Sequence, residues 1–221
     1  MDKEALDKQD VKKFQKGFLL FFIGHVFLTI GAFYIGAQFK IIPSWVGLFA
    51  LFFPVAYILM GIGMFFLYKF NKNLTLAFIT IGIQLVIGLL ANVASTSMDD
   101  SYLFWSKGLE WSSQILLCIF YVYFFLGCHD YFASLGIEKA KKHSRTGFIV
   151  FPILYTIQLA LTLGKDFKVV KYNLIANRIF LYGSWLFNFV IYFFVLSLLI
   201  LIVVYMHKLR KEDINDESKA S

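Results

Sequence analysis

IFLYGSWLFNFVIYFFVLSLLILIVVYMH, residues 179–207, contains no Asp, Glu, Lys or Arg in 29 positions. An α-helix rises about 1.5 Å per residue, so about 20 residues cross a hydrocarbon core about 30 Å thick. Leu, Ile, Phe and Val each favour insertion by about 0.3 to 0.6 kcal/mol, whereas a central Lys, Arg or Asp opposes it by about 2.5 to 3.5 kcal/mol. The stretch therefore reads as a membrane-crossing helix, and the same test extends along the chain.

Charged residues cluster elsewhere too, and they leave further uncharged windows at 17–39, 41–68, 73–98, 111–129 and 146–164. The whole chain of 221 residues is 59% hydrophobic and only 16% charged, with mean hydropathy +0.71. Soluble proteins are about half apolar and a quarter charged, and no water-soluble remainder exists here to bury six such windows. The expected fold is all-α: a polytopic transmembrane bundle of six helices at about 17–39, 45–68, 74–97, 111–132, 147–164 and 179–207. A charged arm, 1–16, precedes this single domain and a charged tail, 208–221, follows it. The fourth helix is the weakest, because Ser112, Ser113 and Gln114 follow Trp111. The first window exceeds the roughly 7 to 15 residues of a signal-peptide core, so it is expected to remain as a helix.

Basic residues in short loops stay on the cytoplasmic side. If all six windows span, fifteen lie on the side of the N-terminal arm, including Lys12, Lys13, Lys69, Lys142, Arg145 and Arg210, and six lie opposite. This selects an orientation with both termini in the cytoplasm. The exception is the fifth connection, with Lys165, Lys168, Lys171 and Arg178. It reads as an interfacial segment whose lysines snorkel to head groups, or else as a basic vestibule for an anion. The third connection, with Asp99, Asp100 and Glu110 among Tyr102, Phe104, Trp105 and Trp111, is expected to lie as a loop along the membrane surface.

Lipid gives helices no hydrophobic reason to associate, so small and polar residues are expected to make the interfaces. They form rows at helical spacing: His25, Thr29, Ala32 and Gly36; Pro54, Tyr57, Gly61 and Met64; Gln84, Gly88, Asn92 and Ser95. The fifth helix adds Gly147, Tyr155, Gln158 and Thr162, and the sixth Ser184, Asn188 and Tyr192. These rows are expected to face inward, with Phe and Leu outward. By rise per residue, His25, Gln84, Gln158 and Asn188 all fall near mid-membrane. Phe53-Pro54-Val55-Ala56-Tyr57 also resembles Phe151-Pro152-Ile153-Leu154-Tyr155, as two antiparallel three-helix halves would produce. In a chain with 27 Phe and 12 Tyr the match is weak on its own.

The windows lack the Asp, Glu, Lys and Arg from which membrane enzymes and proton relays are built, and no HExxH, GxSxG, P-loop or GxGxxG spacing occurs. Cys128, His129 and Asp130 are consecutive, so on a helix they point about 100° apart and do not converge on a metal. No enzyme activity, cofactor or metal is expected, and no nucleic-acid partner, since topology accounts for the +7 charge. The expected function is transport or small-ligand binding, with His25, Gln84, Asn92, Gln158 and Asn188 lining a neutral polar midplane site. The alternative is an accessory or structural subunit whose polar rows only pack and which acts through a membrane protein partner. Lipids, including anionic head groups beside the basic loops, are the expected surroundings. A cell membrane is the expected location, and heavy Phe, Tyr, Ile and Lys usage suggests a bacterial one.

Overall fold

A computed structural model describes residues 8–38, 52–95, 100–164 and 173–220. They form six helices: α1 (Lys8–Gln38), α2 (Phe52–Leu67), α3 (Lys72–Ser95), α4 (Asp100–Ser134), α5 (Glu138–Gly164) and α6 (Leu174–Ala220). No strand occurs among the described residues. Five helices are long and apolar enough to cross a membrane, and the described part of α2 is a shorter apolar helix of 16 residues. Their outer faces carry a girdle of exposed Ile58, Phe65, Ile79, Val86, Leu89 and Ile153. This is an apolar helical bundle of the multi-pass membrane kind.

Helix ends differ from the uncharged windows. α1 starts at Lys8 rather than at 17, α4 at Asp100 rather than at 111, and α5 at Glu138 rather than at 147. The segment 100–110, expected as a surface loop, is the beginning of α4. Charge marks where a chain leaves hydrocarbon, but Lys, Glu and Arg are good helix formers and let the helix run on. What stops a helix is local chemistry. At the end of α4, Gly136 takes φ 71°, a left-handed conformation that suits glycine. Its N–H donates to the Ala133 carbonyl at 3.2 Å and the Ile137 N–H to the Phe132 carbonyl at 3.0 Å, a Schellman closure. Asn71 and Asn173 cap the next starts: their side-chain oxygens accept the N–H groups of Leu74 at 2.9 Å and of Ile175 and Ala176 at 3.1 Å.

The start of α1, the α2–α3 turn, the α4–α5 turn and the later part of α6 gather at one end of the bundle, called the terminal end here. There Phe14 stacks on Tyr131 with ring centres 3.6 Å apart and meets Phe70 edge-on, while Gln15 Nε2 donates to the Met206 carbonyl at 3.4 Å. Each helix touches its neighbours in chain order, and α6 returns to α1 to close a ring. Glycines tighten the seams. A Cβ on Gly63 of α2 would lie 2.6 Å from the Phe21 nitrogen and 2.7 Å from the Gly17 carbonyl oxygen of α1. One on Gly127 would meet Leu74, one on Gly147 the Phe125 ring, and one on Gly164 the Phe180 ring. The α2–α3 seam is the exception and by far the thinnest. Tyr68 stacks on Phe78 at 5.2 Å beside the turn, but Gly61 and Gly82 further along face open space.

One expectation is overturned. Phenylalanines do not turn outward as a class: Phe14, Phe18, Phe21, Phe120, Phe124 and Phe125 are among the most completely buried side chains. Water does not sort side chains inside a bilayer, so dispersion and ring geometry decide, and stacked rings fill the centre well. Phe21 stacks on Phe124 at 4.1 Å, and Phe18 lies 6.0 Å from the same ring. α1 and α4 thus meet across the ring of helices through aromatic side chains, and these close the terminal half of the bundle.

Candidate functional site

Beyond the aromatic closure the bundle is hollow. A cavity of about 1050 Å³ lies among all six helices, at the upper end of the roughly 300 to 1,000 Å³ usual for ligand pockets. Its floor is His25. The Tyr192 carbonyl, 3.2 Å from His25 Nε2, can only accept, so Nε2 carries the proton; Nδ1 then accepts from the Tyr121 hydroxyl at 2.9 Å. Among the described residues the ring has no carboxylate partner. From Tyr121 the wall follows α4 through Leu117, Gln114 and Ser113 to Glu110, about 16 Å by helical rise.

Each polar group on the walls is placed by its helical row. Gln84 Nε2 donates to Ser113 Oγ at 3.1 Å, joining α3 to α4, and lies beside the Tyr57 hydroxyl of α2. The Tyr155 hydroxyl donates to Gln114 Oε1, joining α5 to α4. Gln158 Nε2 donates to Thr162 Oγ1 at 3.0 Å, and that hydroxyl is 2.8 Å from Ser184 Oγ on α6. These bonds hold the walls without using every polar atom. Gln84 Oε1, Gln158 Oε1 and Trp185 Nε1 are buried and find no hydrogen-bond partner. Both glutamines are more than nine-tenths buried, at 6% and 4% exposure. An unmatched buried polar atom costs about 1–3 kcal/mol, and all three belong to side chains that border the cavity, so turning them toward a hydrogen-bonding guest would relieve that cost.

Four of the five residues expected at the site, His25, Gln84, Gln158 and Asn188, border this cavity. Asn92 lies on α3, but its side chain falls outside the described residues. Phe53 and Tyr57 of α2, and their sequence counterparts Phe151 and Tyr155 of α5, border it as well. The α4 wall is what the sequence reading missed. Glu110, Ser113, Gln114, Leu117 and Tyr121 recur at intervals of three and four, the same helical signal as in the other rows. Glu110 also places one carboxylate on the rim, whereas no Lys or Arg is among the described lining residues. Of the fifth connection, expected as a possible basic vestibule, residues 165–172 lie outside the described ones. Asp130 accepts from Asn73 Nδ2 at 2.7 Å and sits 3.3 Å from the His129 ring, which makes it a tie between α4 and α3.

The floor gives a direct test. Tyr121→Phe removes the hydroxyl that meets His25 Nδ1 and is expected to destabilise the protein by about 1–3 kcal/mol. Adding His25→Leu removes the orphaned nitrogen and should recover part of that loss. Melting curves of the single and double variants decide it, and a double variant no better than the single one contradicts the assigned bond.

No family model, no curated protein and no solved structure matches this chain.

Proposed function

We propose that this chain is a small-ligand-binding or transport component of a cell membrane, non-catalytic, with both termini in the cytoplasm. The observation that carries the reading is the set of unsatisfied buried atoms, Gln84 Oε1, Gln158 Oε1 and Trp185 Nε1, on the wall of a ligand-sized cavity. Two of the three are acceptors, so the favoured guest donates hydrogen bonds. With one carboxylate and no Lys or Arg among the described lining residues, it carries no negative charge.

A ligand that binds only the folded state at 100 times its dissociation constant adds about 2.7 kcal/mol, roughly 5 °C or more in melting temperature for a chain of this size. A melting screen of soluble alcohols, polyols, amides and carboxylates on protein in lipid nanodiscs is expected to give shifts of that order from uncharged donors. Those shifts should vanish in Gln158→Leu and Gln84→Leu, while carboxylates stay inert. A screen without any shift, together with glutamine variants that merely change basal stability, points instead to the accessory-subunit reading. The interhelical bonds Gln84–Ser113 and Thr162–Ser184 are what favour that second reading.

A further inference from the structure

The cavity wall is not uniform. Its polar groups come from every helix, Gln84 of α3 and Tyr57 of α2 included, whereas Phe53, Ile58 and Ile62 of α2 and Leu85 and Leu89 of α3 make the rest of the α2 and α3 lining mostly apolar. That side also faces outward: Ile58 is 61% and Leu89 66% exposed. A second hollow of about 460 Å³ runs along α3 and reaches Gly61 of α2, and its described lining residues are all apolar or glycine. Gly61 and Leu85 border both spaces, so the inner cavity and the outer groove meet at these residues.

Glycine use sharpens the contrast. At the other seams a glycine admits a neighbouring helix or ring, as Gly63, Gly127, Gly147 and Gly164 do. Gly61 and Gly82 admit nothing within 4 Å of a built Cβ. A gap between two membrane helices borders acyl chains rather than water. A guest that fits both spaces has a hydrogen-bonding head among Gln84, Gln158 and Trp185 and an apolar chain leaving between α2 and α3.

We infer that the cavity takes an uncharged membrane amphiphile, a hydroxyl-bearing head with an acyl chain, which reaches it sideways from the bilayer through the α2–α3 seam. This rests on the small-ligand reading above and specifies its chemistry. The head's hydroxyl protons meet Gln84 Oε1 and Gln158 Oε1, and a head oxygen accepts from Trp185 Nε1. Fatty acids and phosphate-headed lipids are disfavoured because no Lys or Arg is among the described residues that line the site and Glu110 stands at its rim.

Trp185 provides the readout. Protein in phosphatidylcholine nanodiscs receives a monoacylglycerol brominated on its chain, and the fluorescence component that disappears in Trp185→Phe is followed. The expected result is quenching well above that from brominated phosphatidylcholine at equal mole fraction. Unlabelled monoacylglycerol should reverse it, whereas the matching fatty acid and free glycerol should not. Gly61→Phe, placed in open space that the fold leaves unfilled, should weaken the effect about tenfold by blocking the seam. Gly82→Phe is the second blocking variant if the first fails to fold, and Gln158→Leu should abolish the effect. Quenching at the phosphatidylcholine level, or equal competition by the fatty acid, overturns the amphiphile. Quenching that is lost in Gln158→Leu but unchanged by both blocking variants overturns the side route and leaves the cavity reading standing. Loss of the cavity reading itself shows differently: neither monoacylglycerol nor any soluble donor then shifts the melting temperature.

Discussion

Gly63→Leu is expected to abolish the folded bundle. The glycine lets α1 and α2 touch backbone to backbone, and even a single added carbon would stand 2.6 Å from the Phe21 nitrogen. No rotamer change relieves such a clash, because the opposing atoms are main chain. The helices must separate, and the separation spreads to Gly24, whose own Cβ would lie 2.8 Å from the Ala56 carbonyl oxygen. Overpacking ordinarily costs about 1–3 kcal/mol, and against backbone over a whole interface we expect about 3 kcal/mol or more. Size-exclusion profiles and melting curves should show little monodisperse protein. Gly61→Leu, two positions away on the same helix but facing open space, should purify and melt like the native chain. Equal behaviour of the two variants contradicts the helix packing described here.

Phe124→Ala is the second large effect. The ring is fully buried, stacked at 4.1 Å on Phe21 and in edge contact with Phe125 at 5.4 Å. Truncation removes dispersion contacts on both faces, and the neighbouring rings cannot collapse far because their own helices fix them. Comparable aromatic truncations cost about 3–5 kcal/mol. Phe124→Leu should recover much of the loss by refilling the volume, whereas Phe22→Ala, at a partly buried ring, should cost far less. The ordering of the three melting temperatures is the measurement. A Phe124→Ala protein as stable as the Phe22→Ala one places the centre of the bundle elsewhere.

The features that sequence reading reached and those it did not divide along physical lines. Number and type of helices follow from where ionised groups stand, since a bilayer excludes them strongly. The inward faces of most helices were legible in the three-and-four spacing of small and polar residues, which brought His25, Gln84, Gln158 and Asn188 to one cavity. α4 escaped because Ser113 and Gln114 follow Trp111 at the edge of its window, where polarity looks like an interface rather than an interior. Helix ends were illegible from charge, as Lys8, Asp100 and Glu138 continue helices instead of ending them. The aromatic closure was hidden by abundance. With 27 Phe in the chain, nothing local separates Phe124 in the centre from Phe65 on the outside. The void itself has no sequence signature, because it is the space left when rows of small residues and a splayed seam coincide.

The stacked rings of Phe14, Phe18, Phe21, Phe124 and Tyr131 make the hollow a cul-de-sac in this conformation. A guest of the kind proposed above has no way through the terminal half while the rings stay stacked. Passage toward the terminal end would require the rings that bridge α1 and α4 to unstack. The same layer of carbon thus sets the hollow apart from the terminal end.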